Sequence, residues 1–265
     1  MKQSSGGEEI NVVGYYENIT FFAIVTMRMS GFILFNPIFS RENVTNMVKA
    51  GLILTLTIII FTTQEPVNIE FVGFLDYLTA MLKELAIGLA LGFIVSLFSL
   101  VIVWAGDVID MQMGLSMAKV FDPQTNTSIS LSGTIFNTIY MIFFFILNLH
   151  IVLIEMLLTS YEVLPYGEAR FTQDIAVGIM ELFYICIELG TKLALPFVGM
   201  SFTSSMGMGL LMKTIPQINI FAIDIQWRVL LGLLLILTFL SPVGVFLQEL
   251  LYLMLENTEN MLELL

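Results

Sequence analysis

Apolar and polar positions along this chain fall in blocks. Apolar runs cover residues 19–39, 47–63, 71–104, 135–158, 175–200, 206–215 and 229–255, with polar or turn-marked stretches between them. Strand-like alternation of period two is absent, and unbroken runs of this length read as helix. The longer runs reach the roughly 20 residues that span a bilayer core as helix. Prolines mark the ends and breaks. Asn36-Pro37 closes the first run, Gln64-Glu65-Pro66 the second, and Pro165-Tyr166-Gly167 marks a turn. Pro196 predicts a kink and Ser241-Pro242 a break in the last run. The pattern predicts an all-α, integral membrane-associated protein of about six to seven long helices. It divides into a polar N-terminal extension (residues 1–18), a single helical domain (19–255) and an acidic C-terminal tail (256–265). Within the domain, 105–132 reads as a mixed, loop-like stretch and 199–215 as a Met/Gly/Ser-rich segment.

Composition narrows the class. With 57% hydrophobic and 12% charged residues and a mean hydropathy of +0.92, the chain lacks the polar surface a soluble domain of 265 residues needs. It belongs in lipid or in a large apolar assembly. The net charge of −12 excludes a basic nucleic-acid footprint. One cysteine, Cys186, and one histidine, His150, give neither a disulfide framework nor a zinc cluster. The first residues carry one base and two acids and do not read as a signal peptide. Arg41, Lys49, Lys213 and Arg228 place the loops that hold them on the cytoplasmic side by the positive-inside rule, which leaves both termini outside. Residues 105–132 fit that threading poorly, with one base against three acids.

Ionisable residues inside the apolar runs are costly and must face protein, a partner or water. They are Arg28, Lys83, Glu84, His150, Glu155, Glu181, Glu188 and Lys192. A lone histidine near a helix end also fits a plain hydrogen-bonded role. Gly88 and Gly92 form a GxxxG that lets a second backbone approach closely, either within the chain or across subunits. Two segments rich in methionine and small residues admit two readings. One surrounds Met111, Met113 and Met117, the other Met206 and Met208. They can line a soft constriction, or they can form a methionine-rich packed core. In the second segment, Ser, Thr and Gly between the methionines speak against a long rigid helix. No G-x-S-x-G elbow and no G-x-x-x-x-G-K-[ST] loop occurs, so hydrolase and P-loop ATPase readings drop out at the motif level.

Several short motifs, in order, resemble the FliR family of flagellar biosynthesis and type III secretion export-apparatus proteins. They are Arg28 with Gly31 and Pro37, and Glu84 with Gly88. Next come Gln112-Met113-Gly114 with Ala118 and Asp122-Pro123-Gln124, then His150 with Ser160 and Pro165-Tyr166-Gly167. The last is Pro216-Gln217-Ile218-Asn219-Ile220-Phe221. The chain departs from the family after that box, where residues 222–228 lack the usual proline-containing turn. The resemblance implies a FliP-like part continued by a FliQ-like helical hairpin. It also implies a place in the flagellar basal body, in the inner-membrane export gate beside FliP-like, FliQ-like and FlhB-like subunits, with unfolded flagellar proteins as cargo. It implies a structural subunit without catalytic, cofactor or metal sites. Under this resemblance Met111, Gln112, Met113, Gly114, Leu115, Ser116, Met117, Ala118, Lys119, Val120, Phe121, Asp122 and Pro123 correspond to a pore plug, and Met206 and Met208 to a gasket. The buried charges Arg28, Lys83, Glu84, His150, Glu181, Glu188 and Lys192 then pair within the protein or with neighbouring subunits. The equivalent subunit of a virulence injection system is the nearest alternative. A secondary transporter would show an internal repeat with broken helices, and none is evident.

Overall fold

The computed structural model describes residues 5–41, 43–64, 73–116, 130–167, 173–215 and 220–265, and only the backbone of 5–17 and 220–222. Among the described residues there are eight helices and no strand. They are α1 (Ser5–Phe35), α2 (Asn46–Thr63), α3 (Phe74–Met113), α4 (Leu131–Ile146), α5 (Leu149–Val163), α6 (Gln173–Thr214), α7 (Ile220–Thr238) and α8 (Leu240–Leu264). Four of them (α1, α2, α3 and α6) are long and apolar enough to cross a membrane, and up to six spans result if each bent pair counts as one. The chain is thus an all-α membrane protein. At about 1.5 Å per residue, α3 and α6 are about 60 Å long, twice the thickness of a bilayer's hydrocarbon core.

Local chemistry sets the breaks. α1 stops at Phe35, where Asn36 turns the chain before Pro37 and its side-chain Oδ1 accepts the Ile38 N–H at 2.9 Å. The fourth apolar run splits at Leu147–Asn148, where Asn148 takes a positive φ of 56° and α4 and α5 bend by 65°. Asparagine tolerates that left-handed conformation better than most residues. The last run splits at Phe239 with a 64° bend. Pro242 has no N–H to continue the helical ladder, so it falls in the first turn of a new helix, where none is needed.

The helices form two compact units. The first comprises residues 1–96, 150–180 and 254–265. Its core is built on a stripe of α1, with Phe21, Ile24, Val25, Arg28, Met29, Phe32 and Ile33 all buried at helical spacing. Phe61 of α2 packs on Phe21 and Phe22, with ring centroids 6.1 and 5.8 Å apart. The second unit comprises residues 97–149 and 181–253. Its core runs along α3 through Phe98, Ile102, Ala105, Ile109 and Met113, together with Phe136, Tyr140 and Phe144 of α4.

Four boundaries differ from the sequence reading. Residues 105–113 continue α3, which ends only at Gly114. Residues 199–214 are helical as part of α6. There the Thr203 and Ser205 hydroxyls donate to carbonyls one turn back (Gly199 at 2.9 Å, Ser201 at 2.8 Å), which is compatible with helix. At the ends, α1 begins at Ser5, and the acidic tail is the end of α8. Its Met261, Leu262 and Leu265 are buried while Glu256, Glu259 and Glu263 stay exposed.

Candidate functional site

In the first unit, α1 and α3 touch backbone to backbone. A Cβ at Gly88 would strike the Arg28 carbonyl, one at Gly31 the Leu85 carbonyl, and one at Gly92 would lie 2.8 Å from the Phe32 oxygen. Only glycine permits that approach. It brings Arg28 opposite Glu84, both fully buried, with Nε donating to Oε2 at 2.6 Å. The remaining donors of Arg28 reach α5 and the turn after it. Nη1 donates to Ser160 Oγ and Nη2 to the Leu164 carbonyl, each at 3.1 Å. The second carboxylate oxygen of Glu84 accepts the Gly167 N–H at 2.8 Å. The Tyr166 ring lies 4.2 Å from the guanidinium carbon, and Phe21 meets that ring edge-on at 5.5 Å. Burial pushes the Tyr166 phenol up to about 12, with Arg28 pulling the other way. This is a buried ion pair whose two charges are both hydrogen-bonded further, the condition under which such a pair survives.

The motif residues Arg28, Gly31, Glu84, Gly88, Ser160 and Gly167, scattered over 140 positions of sequence, therefore meet at one locus. The other ionisable residues do not join it. Lys83 is half-buried, His150 is half-buried at the start of α5, and Glu155 is exposed. Glu181, Glu188 and Lys192 are exposed on α6, where Lys192 pairs with Glu188 at 2.7 Å.

In the second unit the methionines divide. Met113 is fully buried against Gly232 of α7, and its sulfur receives the Ser132 hydroxyl at 3.8 Å. Met208 is buried as well, whereas Met111 is 66% and Met206 59% exposed. Gly114, at φ +79°, ends α3 in a conformation that favours glycine. Gln112, Leu115 and Ser116 are half-buried, and residues 117–123 of the expected plug lie outside the described residues.

Beside them stands a residue the sequence reading passed over. Asp110, 1% exposed, accepts the Ser130 hydroxyl at 2.9 Å, the Leu131 N–H at 2.6 Å and the Ser132 N–H at 3.1 Å. Ser130 itself caps α4 by accepting the Gly133 N–H at 3.0 Å. The available signal was Ser130 just ahead of an apolar run, a helix start.

Between α6 and α7 runs a groove of about 680 Å³. Gly199, Ser204, Gly207 and Met208 line one side, and Trp227 and Leu231 the other. Among the described residues, nothing lies within 4 Å of a Cβ placed at Gly199, Gly207 or Gly209. At its edge Arg228 pairs with Asp224 at 2.8 Å and donates to Ser201 and Ser205 at 3.3 and 3.0 Å.

Residues 19–254 match the family described as Bacterial export proteins, family 1. The chain is 27% identical over 251 residues to the flagellar biosynthetic protein FliR of Bacillus subtilis (strain 168), covering 92% of this chain and 95% of that one. It is 26% identical over 224 residues to FliR of Escherichia coli (strain K12), covering 84% and 85%. With FliR of Aquifex aeolicus (strain VF5) the identity is 25% over 212 residues, covering 79% and 81%.

Proposed function

The chain belongs to the bacterial export proteins of family 1, in the FliR family of flagellar type III export-apparatus subunits, and from that premise we propose that it is a structural and gating subunit of the export gate in the inner membrane. It assembles with FliP-like and FliQ-like subunits, with an FlhB-like subunit alongside, and forms part of the conduit for unfolded flagellar chains. The flagellar reading stands ahead of the injection-system one because the similar relatives are flagellar proteins.

The observation that carries the proposal is the surface of α6. Glu181, Glu188 and Lys192 are exposed among exposed Phe183, Tyr184, Ile187 and Leu195. Lipid suits the apolar side chains and not the charges, and water the reverse. Neighbouring protein, with matching polar groups and apolar helices, suits both. In the gate the protein performs no bond chemistry and instead positions a constriction. Exposed methionines such as Met111 and Met206 fit that task, since a flexible apolar side chain excludes water when the path is empty and yields to any cargo side chain.

The test is purification with and without FliP-like and FliQ-like subunits from the same cell. A stable complex in their presence, and aggregation of the chain in their absence, is expected. A monodisperse lone chain that fails to enter a complex with them overturns the assignment.

A further inference from the structure

The helices of this chain use glycine to bring another backbone close. Gly31 and Gly88 meet the facing backbones of α3 and α1, and Gly106 lies directly against Gly133. On α6 the same device has no counterpart. Gly199, Thr203 and Gly207 follow at four-residue spacing along one wall of the groove between α6 and α7, inside the second unit. Among the described residues, no atom lies within 4 Å of a Cβ built at Gly199 or Gly207. Glycine inside a helix lowers its stability, and here no contact among the described residues offsets that.

A hydroxyl on the same wall is the second observation. Ser204 lines the groove, is 6% exposed, and its Oγ has no hydrogen-bond partner among the described residues. Its neighbours Thr203 and Ser205 differ, since both donate to carbonyls one turn back. At the groove edge Arg228 Nε and Asp224 Oδ1 are also buried and unmatched, although the two side chains pair through other atoms. Such atoms are costly when buried, most of all in a membrane. These features decide between occupants. Water would satisfy Ser204 but would wet Trp227, Leu231 and Leu235. A lipid tail would cover those apolar walls but carries no donor or acceptor for Ser204. A helix does both, because its backbone can come close over the glycines while a polar side chain reaches the hydroxyl.

We propose that the α6–α7 groove is the seat of one apolar helix from another subunit. That helix carries a small residue where it crosses Gly199 and Gly207, and a Ser, Thr, Asn or Gln that hydrogen-bonds Ser204. The inference rests on the assembly with other subunits proposed above, and it assigns one face of this chain to that assembly.

The experiment uses the assembled complex. In a Cys186→Ala background, Thr203→Cys is paired with single cysteines placed along each apolar helix of cysteine-free FliP-like, FliQ-like and FlhB-like subunits. Oxidation is expected to join position 203 to one face of one partner helix, at three- and four-residue intervals, because a disulfide needs Cα atoms within about 7 Å. An assembled complex with no cross-link to any partner helix overturns the proposal, and a groove filled by lipid or water gives that outcome. Ser204→Ala reads the site independently. It breaks no hydrogen bond among the described residues, so a role confined to this chain predicts no change. Loss of one hydrogen bond between membrane helices is instead expected to speed exchange of the chain out of the complex roughly three- to tenfold. Unchanged exchange overturns the proposal as well. A wild-type chain that never co-purifies with the partner subunits defeats the assembly itself. A complex that forms without the cross-link or the faster exchange defeats this site alone.

Discussion

Arg28 shows what one residue does in this fold. Its guanidinium joins α1, α3, α5 and the turn at Leu164, and every contact depends on a charge kept from water. Removing one partner leaves the other charge buried and unmatched, so Arg28→Ala or Glu84→Ala should each destabilise the protein by about 3–5 kcal/mol. Replacing both by apolar residues should recover only part of that loss. The Leu164 carbonyl and Gly167 N–H would still lack partners, at about 1–3 kcal/mol each. Thermal unfolding of the detergent-solubilised complex measures both cases, and equal stability of single and double variants would contradict the ordering. Tyr166 gives a second, opposite case. Its hydroxyl is buried with no hydrogen-bond partner among the described residues, and its ring already supplies the contact with Arg28. Tyr166→Phe should therefore be neutral within about 0.5 kcal/mol. The phenol is held protonated in the fold to about 12 against 10 when unfolded. Between those values the unfolded chain has lost the proton and the folded one has not, so stability is intact below pH 10 and falls as pH rises toward 12. A pH-dependent melt of Tyr166→Phe should show a shallower fall in that window. The sequence showed that Arg28 and Glu84 needed partners. It did not show that the partners were each other and Ser160, because those contacts span 56 and 132 positions.

At the scale of elements, the legible part is whatever rests on local chemistry. Asn36-Pro37, Gln64 and Pro165-Tyr166-Gly167 fall at ends or turns in the structure as they do in the sequence. What escaped is where tertiary contacts extend a helix through residues of poor propensity. Asp107, Asp110 and Gln112 looked like loop, yet α3 runs through them, because Ile109 and Met113 continue its buried stripe and Asp110 has its own partners. Gly88 tests the closest helix contact. Gly88→Leu would place a side chain on the Arg28 carbonyl, so folded protein and complex yield should both collapse, with Gly92→Leu somewhat milder. Gly51→Leu on α2, where no atom of the described residues lies within 4 Å of the added Cβ, is the control and should leave the fold intact. Normal yield of Gly88→Leu would mean the α1–α3 approach is not required. Gly207 is the converse. With open space at its Cβ, Gly207→Ala should strengthen α6 by up to about 1 kcal/mol within the chain. If another subunit's helix approaches that face, the same variant should lower complex yield; co-purification with the partner subunits measures it.

For the whole molecule, the proposed gating role raises the question of what would keep a conduit from leaking ions while it waits for cargo. The chain offers an ionic core that fixes α1, α3 and α5, and a set of methionines that divides into packed and exposed members. The division makes the methionines separable by experiment. Met113 and Met208 are buried, so replacing either by Ala should act through packing, costing about 2–5 kcal/mol and lowering complex stability. Met111 and Met206 make no such internal contribution at 66% and 59% exposure, so Ala there should leave stability near wild type and change only the seal. Deleting residues 114–123 removes most of the proposed plug while keeping Asp110 and its donors Ser130, Leu131 and Ser132. That complex should assemble and conduct small ions at rest, because water fills a constriction once the side chains that excluded it are gone. Met206→Ala should leak less than the deletion, since residues of neighbouring subunits would complete the ring around it. Ion conductance of the reconstituted complex, measured beside its thermal stability, separates the two kinds of methionine. A deletion complex that assembles and stays as tight as wild type would leave Met111 and Met206 as surface residues awaiting a neighbouring helix, with the barrier to ions built elsewhere in the gate.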